Sequence, residues 1–174
     1  MPSVHPRRSL LCSALASLLG LPALPALALD RPTGRVLLSI TGQVSAGNAE
    51  GGRRADFDMA MLEALPQHRF TTATPWFKER RQFSGPLLRE VLAAAGAKGT
   101  VLKAIALNSY KIEIPAADAE QFGMLLATRL DGQAMTVREK GPLFIVYPFD
   151  DSAELRQERY YARSAWQLRT LEVK

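Results

Sequence analysis

The chain has 174 residues, 47% of them hydrophobic and 22% charged, with a formal net charge of +5. That length and balance predict one folded domain able to build an apolar core. A single cysteine, Cys12, excludes a disulfide framework and the cysteine-based zinc and iron–sulfur sites. No basic patch interleaved with aromatics occurs, so nucleic acid is not an expected partner.

The first 28 residues read as an export signal. "MPSVHPRRSLLCSALASLLGLPALPALA" has a basic start, an apolar run and Ala-Leu-Ala before a cleavage point after Ala28. Pro22 and Pro25 interrupt the apolar run, which argues against a membrane-spanning helix. Arg7-Arg8-Ser9-Leu10-Leu11 weakly resembles a twin-arginine signal, and ordinary Sec export fits as well. Cys12 lacks the small residue expected before a lipidated cysteine. The expected location is the periplasm or the exterior. The mature chain, starting at Leu29, keeps 20 basic and 17 acidic side chains, no cysteine, and one histidine, His68.

Residues 30–34 form a polar lead, and "RVLLSITGQV" (35–44) reads as a strand. "SAGNAEGGRRAD" (45–56) is a glycine-bearing loop. "FDMAMLEALP" predicts a short helix capped by Asp58 and stopped by Pro66. "HRFTTATPW" (68–76) alternates as a strand rich in threonine and runs into a Pro75-Trp76 turn. "FKERRQ" reads as an exposed connection. "FSGPLLREVLAAAGAKG" is the clearest helix, with Ser84 as its cap, Pro86 in the first turn, an apolar face of Leu87, Leu88, Val91, Leu92 and Ala95, and Gly96 at its end.

The second half is rich in strands. "TVLKAIALN" and "YKIEIP" flank a turn at Asn108-Ser109, and "AADAEQFG" is a short helix or turn. "MLLATRL" is a strand followed by a tight turn at "DGQ". "PLFIVYPF" is apolar enough for a central strand. "DDSAELRQERYYARS" is partly helical, with Asp150-Asp151 as a helix cap, and "WQLRTLEV" closes as a strand. Strands outnumber helices without regular alternation, which predicts an α+β fold with a mixed β-sheet core and a few short helices. Phosphate loops, G-x-G-x-x-G, H-E-x-x-H and G-x-S-x-G are absent from the sequence, and His68 alone makes a weak basis for a catalytic triad.

From residue 57 onward, several segments in register resemble the molybdopterin-binding domain of the sulfite oxidase and nitrate reductase family, which includes the periplasmic methionine-sulfoxide reductase catalytic subunit. They are "FDMAMLEALP", "FSGPLLREVLAAAG", "YKIEIP", "LLATRLDGQAM", "KGPLFIVYP" and "SAWQLRTLEV", over about 115 residues. The resemblance implies a sulfite-oxidase-like molybdopterin domain over 57–174, continuous with an N-terminal strand and loop at 29–56. It also implies a molybdopterin cofactor and an oxidoreductase activity.

Residue by residue, the resemblance places the metal-binding cysteine on Thr72, a pocket tyrosine on Tyr110, and Trp76 as a wall of the site. The family's histidine falls on Lys140 and an arginine on Phe144, while Arg138, Arg129 and Arg163 remain to build an anion pocket. A neutral hydroxyl is a poor substitute for thiolate on molybdenum. The reading that follows is an exported domain without thiolate-ligated molybdenum chemistry, acting as a ligand-binding, accessory or sensory protein. Its partners would be a small or anionic ligand and a membrane sensor or redox protein. The alternative is a molybdopterin-dependent oxidoreductase with a non-cysteine metal site, with Tyr110 as the candidate catalytic residue.

Overall fold

A computed structural model describes residues 29–174. The export signal expected over 1–28 lies outside the described residues. The fold is α+β, with three β-sheets and four short helices among the described residues.

The largest sheet has five strands. β1 (Leu38–Gly42) lies within the stretch read as a strand, with Leu38 and Ile40 fully buried. β2 (Arg54–Phe57) pairs antiparallel with it, inside the stretch read as a loop and the start of a helix. The strand is only four residues long and follows two glycines, so its local signal is weak. Tertiary bonds identify it. Asn48 donates its amide to the Asp56 carbonyl at 2.8 Å and accepts from the Asp56 N–H at 2.7 Å, closing the intervening loop with a nearly buried side chain.

Asp58 caps α1 (Met59–Ala64) as expected, accepting from the Met61 N–H at 2.9 Å. Its other oxygen accepts from the Thr33 and Gly34 N–H groups, which ties the polar lead to the helix. These bonds, Met61 first and then Gly34, hold its carboxyl below the ordinary aspartate range.

β5 (Val101–Ala106) and β6 (Lys111–Pro115) form the expected hairpin, with Ser109 in the left-handed region at its turn. β11 (Leu168–Val173) completes the sheet in its middle, parallel to β1 and antiparallel to β5, giving the order β2-β1-β11-β5-β6. Gly42, with φ of 87°, ends β1 against this strand, and a Cβ there would strike the Val173 carbonyl.

The second sheet holds β3 (His68–Thr72), β4 (Arg81–Gly85), β8 (Arg129–Leu130) and β9 (Gln133–Ala134), all antiparallel. Ser84 is therefore a strand residue facing Arg69 and Arg129, and does not cap the following helix. α2 (Leu88–Ala94) begins later, and Glu90 accepts from the Leu87 N–H at 3.1 Å. Sheet pairing overrides the capping preference of serine because the Ser84 carbonyl is committed to the Thr128 N–H. The apolar face of Leu87, Leu88, Val91, Leu92 and Ala95 is buried as expected.

"MLLATRL" divides at Thr128. β7 (Leu125–Ala127) pairs with β10 (Phe144–Val146) in a two-stranded sheet, and β8 turns away to β4. The uniformly apolar "PLFIVYPF" is thus buried, but its strand is not central in the main sheet. Its burial comes from one flanking strand, β7, together with packed aromatics, which composition alone does not distinguish from a central strand. α3 (Ala116–Gln121) and α4 (Glu158–Arg163) complete the fold. No helix among the described residues is long and apolar enough to cross a membrane.

Candidate aromatic cleft

Thr72 stands at the end of β3 and is 1% exposed. Its hydroxyl accepts from the Asp150 N–H at 3.1 Å. Asp150 returns the contact: its carboxylate accepts from the Ala73 N–H at 3.0 Å and pairs with Arg80 at 2.8 Å. This closed loop of bonds pins the residues after β3 to the segment after β10. It also corrects the reading of Asp150-Asp151 as a helix cap. The carboxylate of Asp150 serves the 73–80 turn, while the helical turn at 154–156 starts from Ala153 without a side-chain cap, and the Ser152 hydroxyl just before it accepts from the Glu154 N–H. A threonine hydroxyl so engaged does not fit the place of a thiolate that must present a lone pair to a metal. Thr72, the metal position by resemblance, thus does not suit thiolate-type ligation of molybdenum.

Beyond Thr72 the chain turns at Pro75 and delivers Trp76 into a cluster of rings. Its indole lies 5.5 Å from Phe144, 6.2 Å from Phe149, 6.1 Å from Tyr161 and 5.2 Å from Trp166, all in edge-to-face arrangements. Phe144, on the position where the resemblance places an arginine, is fully buried at the heart of this cluster. It also meets Phe83 and Trp166 edge-on.

On one side of the cluster opens a cleft of about 460 Å³. β5 and β6 supply a floor of Ala104, Ala106 and Ile112, the β5–β6 turn supplies Asn108 and Tyr110, and α4 with the chain after it supplies Glu158, Tyr161, Ala162, Ser164, Ala165 and Trp166. Trp76 and Tyr110 thus come together in one site. Tyr110 is 58% exposed and is held by its N–H donating to the Asn108 side chain at 3.1 Å.

Lys140 does not line the cleft but rests on two residues that do. Its ammonium is 4.3 Å from the Trp166 ring and 5.9 Å from the Trp76 ring. The residue adopts a left-handed conformation, φ 72°, at the end of the helical turn Val137–Glu139, and its carbonyl accepts from the Gln167 N–H. Burial pushes its ammonium below the ordinary lysine range. Among the described residues, no carboxylate lies within ion-pair distance of it.

The other basic candidates go elsewhere. Arg138 is exposed on the same turn and lines no part of the cleft. Arg129 pairs with Glu63. Arg163 pairs with Asp118 at 2.9 Å, and Asp118 in turn accepts from the buried Tyr147 hydroxyl at 2.7 Å. His68 is half-exposed and pairs with Glu90, outside the cleft.

Sequence reasoning read Trp166 as the start of the closing strand and did not reach Glu158 or the alanine floor as parts of a site. A signal existed for the floor: Ala104 and Ala106 alternate on one face of β5, leaving room above a strand that otherwise carries larger residues. No family model matches the chain, and no curated protein matches it. Geometrically, the cleft is suited to holding an apolar or planar group between rings.

Proposed function

We propose that this chain is an exported ligand-binding protein of accessory or sensory type, built on a sulfite-oxidase-like molybdopterin-domain fold, without redox chemistry at a thiolate-held molybdenum. The observation that carries the reading is the separation of Thr72 from the cleft. The position expected to ligate the metal is buried in a structural bond to Asp150, and the open, ring-lined space lies beside Trp76, Tyr110 and Trp166. A cleft of this size falls within the range of small-molecule sites, roughly 300–1,000 Å³. The four aromatic side chains around a small-residue floor support binding by packing.

The test is elemental and fluorescence analysis of the protein purified from the periplasm of a molybdenum-replete host. The expected result is molybdenum and pterin well below one equivalent. One equivalent of each, retained through gel filtration, would overturn the reading in favour of a molybdopterin oxidoreductase.

A further inference from the structure

Resting on the reading of the cleft as a ligand site, we propose that its ligand is an organic cation, an alkylated ammonium group carried on a small apolar body. Among the described residues lining the cleft, Glu158 is the only one with a formal charge. It has no ion pair among the described residues. Its basic neighbours on α4 are occupied: Arg159 bonds to Glu154 at 3.1 Å and Arg163 to Asp118 at 2.9 Å. Glu158, exposed at the start of α4, thus brings a carboxylate to the cleft lining without a counter-ion among the described residues.

The walls reinforce that sign. Trp76, Tyr110, Tyr161 and Trp166 surround the space, and the face of an aromatic ring carries negative potential that attracts a cation, best for tryptophan. The fold already makes this kind of contact with its own ammonium, since Lys140 sits over Trp166 from outside the lining. Ala104, Ala106, Ala162 and Ala165 leave space for methyl groups between the rings. An anion would meet the Glu158 carboxylate and four aromatic side chains, with no basic side chain among the described lining residues. The ligand predicted by the cleft is thus opposite in charge to the anion that the resemblance implies.

Isothermal titration of the mature chain with three probes of one shape tests this: choline, its neutral isostere 3,3-dimethylbutan-1-ol, and the anion 3,3-dimethylbutanoate. Tryptophan fluorescence gives a second readout. Choline is expected to bind about tenfold or more tightly than the alcohol, a difference of about 1.4 kcal/mol, with no binding of the anion. Glu158→Gln is expected to weaken choline about fivefold and leave the alcohol unchanged. Lys140→Met removes a like charge and is expected to strengthen choline binding.

Equal or tighter binding of the alcohol or the anion overturns the cation assignment and leaves the cleft as a ligand site. Failure of all three probes to bind the folded protein also overturns it. Choline binding unchanged in Ala162→Trp, which fills the cleft from the exposed face of α4, would put the ligand elsewhere and sink the reading on which the proposal rests.

Discussion

Arg163 and Lys140 both lie over aromatic rings, and their surroundings differ. Arg163 lies 5.4 Å from the Tyr160 ring and is bonded to Asp118, which also accepts from Tyr147. Every charge there is answered, and the Tyr147 hydroxyl is pushed well above its ordinary value by burial and by the bond to Asp118. Lys140 lies on Trp166 and Trp76, with no carboxylate in reach among the described residues. The first arrangement is a closed knot joining α3, α4 and the segment after β10. The second leaves a cation held by rings alone, against two residues that line a cleft whose own charge is negative. A satisfied network stabilises, and an incompletely answered charge marks the part of the fold that is open to a ligand.

The comparison can be broken most sharply at the knot. Asp118→Leu leaves the Tyr147 hydroxyl and the half-buried Arg163 without their acceptor, and is expected to cost about 3 kcal/mol in urea denaturation. Breaking the open side should cost less. Trp166→Ala removes a half-buried ring that packs on Trp76 and Phe144 and supports Lys140, with an expected loss of about 2 kcal/mol. The same variant exposes the ammonium of Lys140, whose titration by NMR should move back up toward the ordinary lysine value.

Thr72→Val tests a third, smaller closed loop. It deletes the acceptor of the Asp150 N–H and is expected to cost about 1 kcal/mol, read from the denaturation midpoint. A much larger loss accompanied by loss of a bound small molecule would instead place Thr72 in a ligand site.

The smallest effect is expected at Lys140 itself. Lys140→Met at neutral pH should change stability by no more than about 0.5 kcal/mol. The informative readout is alkaline. Burial lowers the folded-state value of Lys140, so between that value and the unfolded value of about 10.4 the unfolded chain binds more protons than the folded one. Stability contributed by this group therefore rises with pH across that window, as the desolvated charge is relieved. Lys140→Met should remove that rise. An unchanged pH slope would show that the ring contact compensates the burial.

Much of the fold was legible where local chemistry and tertiary context agree. The Asp58 cap, the α2 apolar face, the β5–β6 hairpin and the tight turn at Asp131-Gly132 all follow from residue types with strong local preferences. β2, the strand role of Ser84 and the division at Thr128 were not legible, because each depends on a partner distant in sequence. Arg54–Phe57 is a strand because β1 lies beside it, and Ser84 is paired because Arg69 and Arg129 face it.

The candidate site divides in the same way. Composition by itself determined that residues 29–174 hold no thiolate and one histidine, so any site must work with rings, carboxylates, hydroxyls and basic side chains. Only the tertiary structure decided which of these meet. Trp76 and Tyr110 are far apart in sequence, and they share a cleft because the turn after β3 and the β5–β6 turn both reach the chain that follows α4. Thr72, four residues before Trp76, is excluded from it because its hydroxyl satisfies the Asp150 backbone. Hydrogen-bond satisfaction and ring packing are pairings across the chain, and a linear pattern records the groups available for them without recording the partners.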